Sequence, residues 1–343
     1  MDIPLRVGIN GLGRIGRAAF KVLLETPELE LVGVNDLIPN DNLAYLLKFD
    51  TVYGRYDKSV DYNDDALIVD GKEYPVTHIK DPAFLPWNDL DVDLVFECTG
   101  VFTKPEELRK HIEAGANRVI LSAPSKSPEV VTVVYGSSQN SREAQIISCA
   151  SCTTNCITPV IEIIGRRIGL EKATLTTIHA YTSSQSIVDG PSKKFRRGRA
   201  AAENFVPTST GAAVATTKVL PEYEGQFDGV AIRAPIPVGS IADIVILTSR
   251  DTSVEEVNNI FREEAESTRY SGVLGVSDDP LVSSDIVQDP RASIVDLEMT
   301  QVVDGNLLKV MSWYDNEWGY VNQMVRQAVE LASTRLARKQ ALR

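Results

Sequence analysis

The sequence predicts an α/β chain of two domains: a doubly wound parallel sheet over residues 1–151, then an α+β domain with a mixed or antiparallel sheet over 152–318. Three observations carry this. Short apolar runs alternate with helically spaced segments through the first 150 or so positions, the pattern of a parallel sheet with helical crossovers. Beyond residue 170 strand-like runs dominate, with fewer helices between them. Near the end, Val321, Met324, Val325, Ala328, Val329 and Ala332 form one apolar stripe, so 319–343 reads as a helix expected to pack back on the first domain.

Residues 5–10 (LRVGIN) are a short apolar strand, followed at once by Gly11-Leu12-Gly13-Arg14-Ile15-Gly16 and a helical pattern to position 25. Residues 30–36 are a second strand ending in Asp36. A Gly-x-Gly-x-x-Gly alone is a weak signal. This one leaves a strand, opens a helix and has an acid 20 residues after its last glycine, the context of the Rossmann dinucleotide fingerprint. Gly11 and Gly13 let the backbone approach a pyrophosphate at the helix N-terminus, Gly16 permits close packing, and Asp36 accepts hydrogen bonds from the adenosine ribose. Leu37 rather than an arginine follows Asp36. A carboxylate repels a 2′-phosphate, which favours NAD, while dual use with NADP stays open.

Residues 92–100 give another buried strand, 105–114 a helix and 118–121 a strand, after which Ser122 stands at the carboxyl edge where such sheets bind ligands. A strand at 145–147 and a helix at 157–165 bracket the central stretch Ala150-Ser151-Cys152-Thr153-Thr154-Asn155-Cys156. Ser151, Thr153, Thr154 and Asn155 are available as caps. Cys152 therefore falls at a strand-to-helix junction, where the helix dipole and unpaired N–H groups favour thiolate. That thiolate suits attack on a carbonyl, with the same N–H groups stabilising the oxyanion. A lone cysteine is most often a small buried hydrophobe. Here four hydroxyl or amide neighbours suit a ligand-facing turn, whereas Cys156 fits a structural role.

Strands then follow at 173–179, 229–233, 241–248 and 306–313, with helices near 210–220 and 253–266. Residues 181–207 are polar with little periodicity, and loops of that length in a compact domain are usually functional. There are three histidines. His78 has neighbours that suggest no chemistry, and His111 lies among Glu107, Arg109, Lys110 and Glu113 and reads as solvated. His179 ends an apolar strand before a polar turn and is the best partner for Cys152, giving an activated nucleophile and a general acid/base.

Composition sets the bounds. With 343 residues, 43% hydrophobic and 24% charged, the chain has room for two cores. A net charge of −12 argues against nucleic acid or an anionic membrane as the main partner. No apolar run approaches the roughly 20 residues that span a bilayer, and the chain opens without a basic-plus-apolar leader, so a cytoplasmic location is expected. Four cysteines are too few for a disulfide framework. Cys149-x-x-Cys152 has metal or redox spacing, but no second pair closes a zinc site, so no metal is expected. An oxidation-sensitive Cys149/Cys152 pair is the lesser reading.

The motifs INGLGRIGR (9–17), ASCTTNC (150–156), HAYTSSQ (179–185), STGAA (209–213) and SWYDNEWGY (312–320) closely resemble those of the phosphorylating glyceraldehyde-3-phosphate dehydrogenases, in order and over nearly the full length. The resemblance implies NAD-dependent oxidation of the triose phosphate, in glycolysis or gluconeogenesis, through a thiohemiacetal and thioester on Cys152 with His179 as its partner. It implies Thr182 and Arg233 as ligands of the substrate's C3 phosphate, and Ser151, Thr153, Arg197, Thr210 and Gly211 as the site of attacking inorganic phosphate. Cofactor contacts fall on Arg14, Ile15, Asp36, Ser122 and Asn316, with Asn316 at the nicotinamide amide. It further implies a homotetramer with the 181–204 loop at a subunit interface. Arginines and a hydroxyl-rich turn are the chemistry two phosphates need. In the basic run 193–199, Lys193, Lys194 and Arg196 read as solvated. Cys149 stands where the family more often has Asn. Erythrose-4-phosphate dehydrogenase is the nearest rival reading, and a non-catalytic NAD-binding redox sensor the rival of another class.

Overall fold

The computed structural model describes residues 3–137 and 143–341, with side chains through Ser333. Residue contacts divide the chain into two compact units: Met1–Val133, Gln139–Ala150 and Met324–Arg343 form the first, and Val134–Ser138 and Ser151–Gln323 the second.

The first unit opens with β1 (Leu5–Asn10), α1 (Arg14–Leu24) and β2 (Leu29–Asn35). Residues 37–91 then hold α2 (Asn40–Lys48), β3 (Phe49–Asp50), β4 (Gly54–Arg55), β5 (Val60–Tyr62), β6 (Ala66–Val69) and β7 (Lys72–Thr77), strands mostly too short for periodicity to register. Next come β8 (Leu94–Glu97), α3 (Pro105–Glu113), β9 (Arg118–Leu121), β10 (Val131–Thr132) and β11 (Ile146–Ser148). The nine-stranded sheet has the order β10-β11-β9-β8-β1-β2-β7-β6-β5. It is parallel from β10 to β7 and antiparallel only along the β5-β6-β7 edge. Central strands are buried on both faces: Val7, Ile9, Leu94, Val95 and Phe96 are sealed from solvent, as parallel strands under helices must be. The chain leaves β1 toward β2 and returns on its other side at β8. That is the topological switch point at which doubly wound sheets bind ligands.

In the second unit α4 (Cys152–Arg167) precedes β12 (Leu170–Ala180), β13 (Val206–Ser209), α5 (Ala212–Val219), β14 (Phe227–Ala234), β15 (Ser240–Thr248), α6 (Val254–Ala265), β16 (Leu274–Ser277), β17 (Ser293–Val303) and β18 (Leu307–Tyr314). The mixed sheet runs β13-β14-β12-β15-β18-β17-β16, and α4 and α6 cover it. Leu175, Ile244, Ile246, Leu308 and Val310 on the strands meet Ile157, Val160, Ile161 and Ile164 of α4 in one core. Three strands depart from the sequence expectation, the short β16 among them. Part of the polar 181–207 stretch and its following turn forms β13, whose Pro207 is tolerated because β13 is an edge. The eleven-residue β17 arises where the alternation is blurred by Asp296, Glu298 and Gln301.

Helix α7 (Trp318–Ala341) begins in the second unit and belongs to the first from Met324 onward. Val321, Met324, Val325 and Ala328 of its apolar stripe are buried. Among the described residues no helix is long and apolar enough to cross a membrane.

Candidate active site

The turn into α4 is built from local rules. Ala150 takes a left-handed φ of 55°, costly for a residue with a Cβ, which turns the chain sharply after β11. Ser151 then caps the helix: its Oγ accepts from Thr154 N at 3.1 Å and shares a 2.7 Å contact with the Thr154 hydroxyl. Cys152 is the first helical residue, and its Sγ lies 3.3 Å from His179 Nε2. His179 is 4% exposed, near the end of β12. Tyr314, at the end of β18, fixes both sides. Its buried hydroxyl lies 2.9 Å from Thr153 Oγ1 and 2.9 Å from Thr177 Oγ1, and its ring meets the His179 ring edge-on at 5.9 Å.

Burial pushes the Cys152 thiol above its ordinary pKa, opposed by the Arg233 charge, the Thr153 hydroxyl and the N–H groups of Thr153 and Cys152. The helix start therefore moderates the desolvation cost instead of overcoming it, which corrects the expectation of a plainly favoured thiolate. Burial, then the Arg233 charge, lowers the His179 pKa to about 3, so the ring is neutral at physiological pH. Arg233 sits opposite His179 in register on β14, with Nη1 2.6 Å from His179 Nδ1.

Arg197 approaches from the loop. Its Nε donates to Thr208 Oγ1 at 3.0 Å, and its charge acts on both Arg233 and His179. Neither arginine has a carboxylate partner among the described residues, and Arg233 Nε is buried without an acceptor. Two such cations beside a nucleophile suit an anionic ligand. Thr210 accepts from Ala212 N at 3.2 Å, and Gly211 precedes α5 with open space where a side chain would stand. Thr182 shares a 2.9 Å contact with Ser184 Oγ. Thr153 is 4% exposed, and its hydroxyl lies 2.9 Å from that of Tyr314. Lys194 is exposed, and its Nζ donates to Ser209 Oγ at 2.9 Å. Asn316 is anchored through Oδ1, which accepts from Gly239 N at 3.2 Å and Ser240 Oγ at 3.0 Å.

In the first unit a cavity of about 700 Å³ opens at the carboxyl edge of the sheet, lined among others by Asn10, Gly11, Gly13, Asn35, Asp36 and Thr99. Gly11 has a φ of 94°, and a Cβ on Gly16 would stand 1.9 Å from Gly11 O, so neither position admits a side chain. A Cβ on Gly13 would meet nothing within 4 Å, and no side chain caps the N-terminus of α1. Open space over an uncapped helix start fits a pyrophosphate. Asp36 accepts from Leu12 N at 2.6 Å and Ile38 N at 2.9 Å, holding its carboxylate at the pocket rim. Arg14 gives its guanidinium to Asp50 and stacks on Tyr53 at 5.3 Å, and it and Ile15 form the first turn of α1. Ser122 follows β9, its hydroxyl bonded to the Cys98 thiol.

Under this pocket lies a network that sequence reading missed. Glu97 and His111 are both 0% exposed. Trp87 Nε1 donates to His111 Nδ1 at 3.0 Å, so Nε2 carries the ring proton toward Glu97 Oε2, also 3.0 Å away. Asn10 Nδ2 donates to the same Glu97 oxygen at 2.6 Å. His111 is thus a buried strut, not a solvated residue: its neighbours along the helix are charged, but α3 turns this face inward. His78 is exposed, with Nδ1 2.7 Å from Asp36 O. Cys156 is buried against Ser293 and Ser312, and burial pushes the Cys149 thiol up to about 12. Among the described residues no three His, Cys, Asp or Glu gather as a metal site.

Comparison with known proteins agrees with both halves. Residues 5–105 match the family model of the glyceraldehyde 3-phosphate dehydrogenase NAD-binding domain, and residues 151–316 that of the C-terminal domain. The chain is 47% identical over 327 residues to "Glyceraldehyde-3-phosphate dehydrogenase 2" of Streptomyces avermitilis, covering 94% of this chain and 97% of that one. It is 45% identical over 334 residues to the glyceraldehyde-3-phosphate dehydrogenase of Geobacillus stearothermophilus, covering 96% and 99%. With that of Haloarcula vallismortis it shares 47% over 330 residues, covering 95% and 97%.

Proposed function

Since the chain belongs to the glyceraldehyde 3-phosphate dehydrogenase family, we propose that it oxidises D-glyceraldehyde 3-phosphate to 1,3-bisphosphoglycerate with NAD and inorganic phosphate. The observation that carries this is the Cys152–His179 contact of 3.3 Å at an uncharged helix start, flanked by Arg233 and Arg197. The Cys152 thiol adds to the aldehyde carbon, forming a C–S bond as the carbonyl π bond opens; its proton passes to the carbonyl oxygen, whose developing charge the N–H groups at the start of α4 stabilise. His179 accepts the hydroxyl proton as the thiohemiacetal collapses to a thioester. Bound NAD supplies the hydride acceptor. Inorganic phosphate, held by Arg197 and the Thr210–Gly211 turn, then attacks the thioester carbon. The C–S bond breaks and the acyl phosphate leaves, returning the sulfur as thiolate.

The substrate's own phosphate is assigned to Arg233 and Thr182, with Ser151 and Thr153 shaping the nucleophile's turn. On the cofactor side, Gly11, Gly13 and Gly16 cradle the pyrophosphate, Asp36 takes the adenosine ribose, and Asn316 meets the nicotinamide amide. The protein is further assigned to the cytoplasm as a homotetramer. Ile187, Val188, Phe195 and Phe205 in and beside the 181–204 loop are each more than two-thirds exposed, apolar surface that a subunit interface would cover. Light scattering on the purified protein tests the tetramer. Following NAD reduction with glyceraldehyde 3-phosphate, plus and minus inorganic phosphate, tests the reaction: sustained turnover is expected only with phosphate present. Faster turnover of erythrose 4-phosphate would overturn the substrate assignment, and turnover by Cys152→Ser the mechanism.

A further inference from the structure

The His179 ring edge that faces away from the sulfur is crowded, and its contacts are one proton short. β12 and β14 run parallel with His179 opposite Arg233, which brings the guanidinium to Nδ1. Three atoms close a triangle. Arg233 Nη1 lies 2.6 Å from His179 Nδ1 and 2.9 Å from Ala180 O, and His179 Nδ1 lies 2.6 Å from that same carbonyl. A guanidinium only donates and a carbonyl only accepts, whereas a neutral imidazole nitrogen does one or the other. With the proton on Nδ1, the ring bonds Ala180 O but meets Arg233 donor to donor. With Nδ1 bare, it accepts from Arg233 but meets the carbonyl lone pair to lone pair. One contact is unsatisfied either way, and the place of the guanidinium decides which.

We propose that Arg233 is a positioning residue that sets the tautomer of His179, and that a phosphate ester binding to Arg233 reverses it. The inference rests on the proposed reading of Arg233 as the ligand of the substrate's phosphate. With Nη1 at 2.6 Å, the cation favours a bare Nδ1, so the ring proton sits on Nε2 and points at Cys152 Sγ, 3.3 Å away. In this form the histidine donates toward the sulfur but has no lone pair at Nε2 to take a proton. Arg233 is free to respond to an anion: its Nε is buried without an acceptor, and Arg197 repels it. Once an anion draws Nη1 away, Ala180 O becomes the better partner. The ring then gains a proton at Nδ1 and loses one at Nε2 by exchange with solvent, staying neutral throughout. Nε2 is now bare and fit to accept the thiohemiacetal proton. Tyr314, the remaining aromatic neighbour, has its hydroxyl committed to Thr153 and Thr177 and adds no charge. Substrate thereby converts its own histidine from a donor toward the sulfur to a general base.

Nitrogen NMR of ¹⁵N-histidine protein tests this, because only three rings contribute and protonated and bare nitrogens have distinct shifts. The probe is glycerol 3-phosphate, which has the phosphate but no aldehyde, with its binding measured separately by calorimetry. Expected in the native protein at neutral pH is a protonated Nε2 without the ester and a protonated Nδ1 with it. Arg233→Met should show a protonated Nδ1 in both conditions, and Arg233→Lys, which keeps the cation, should resemble the native ring without ester. The resonances of buried His111 report folding of each variant in the same spectrum. A protonated Nδ1 before ester is added, or ester binding without the proton moving, overturns the inference and leaves the proposed reaction standing. Failure of the ester to bind overturns the reading of Arg233 as a phosphate ligand, and the inference with it.

Discussion

A single buried imidazole sets much of the chemistry at residue scale. His179 is neutral because burial, then the Arg233 charge, lowers its pKa to about 3, whereas in the unfolded chain it titrates near 6.5. Between those values the unfolded chain holds a proton that the folded protein does not. This group's contribution to stability is therefore complete above the unfolded value and falls as pH drops toward 3, by about 1.4 kcal/mol per pH unit. Urea unfolding of the native protein and His179→Asn across that window should show a shallower acid loss in the variant. Near neutral pH the same substitution should lower kcat by about 10²- to 10⁴-fold, the usual worth of a general acid/base, with the KM for NAD unchanged. Steady-state kinetics at saturating phosphate checks this. The identities of Cys152 and His179 are legible in the sequence because each sits at the end of a locally determined element, a helix start and a strand end. Tyr314 is not, since its role depends on Thr153 and Thr177, which only the folded sheet brings to it.

At the scale of elements, the two helix starts assigned to binding each depend on one small residue. Ser151 caps α4, so Ser151→Ala should cost about 1 kcal/mol in chemical denaturation and slow alkylation of Cys152 by loosening the turn that aims it. Gly16 admits nothing larger: a Cβ there would stand 1.9 Å from Gly11 O. Gly16→Ala must open the turn ahead of α1, and NAD should bind at least about tenfold more weakly, a loss of about 1.4 kcal/mol. A fluorescence titration measures it, and near-native affinity would show that the turn does not hold the pyrophosphate. Both starts were readable as patterns of spacing. β13 and β17 were not, because a proline at an edge strand and polar residues within a long strand are tolerated only by what lies alongside them.

On the scale of the whole molecule, each unit has its own core and its own half of the chemistry: the first the dinucleotide cavity, the second the thiol, the imidazole and two arginines. A ligand that binds only the folded state stabilises it by mass action, so NAD at 100 times its Kd should add about 2.7 kcal/mol. Calorimetry with and without NAD tests this, and Gly16→Ala should require proportionally more NAD for the same gain. The net charge of −12 does not oppose the proposed anion site, because the second unit gathers Arg197 and Arg233 where no carboxylate among the described residues answers them.

By itself the sequence determined the glycine turn, the acid that follows it, the nucleophile at a helix start and the histidine at a strand end. Each of these is a short-range pattern whose meaning lies in backbone geometry over a few residues. Tertiary structure alone decided that His111 is a buried strut between Trp87 and Glu97, and that desolvation outweighs the helix start at Cys152. It also decided that strand register sets Arg233 against His179. Burial and register are properties of neighbours distant in the chain, and no local spacing encodes them.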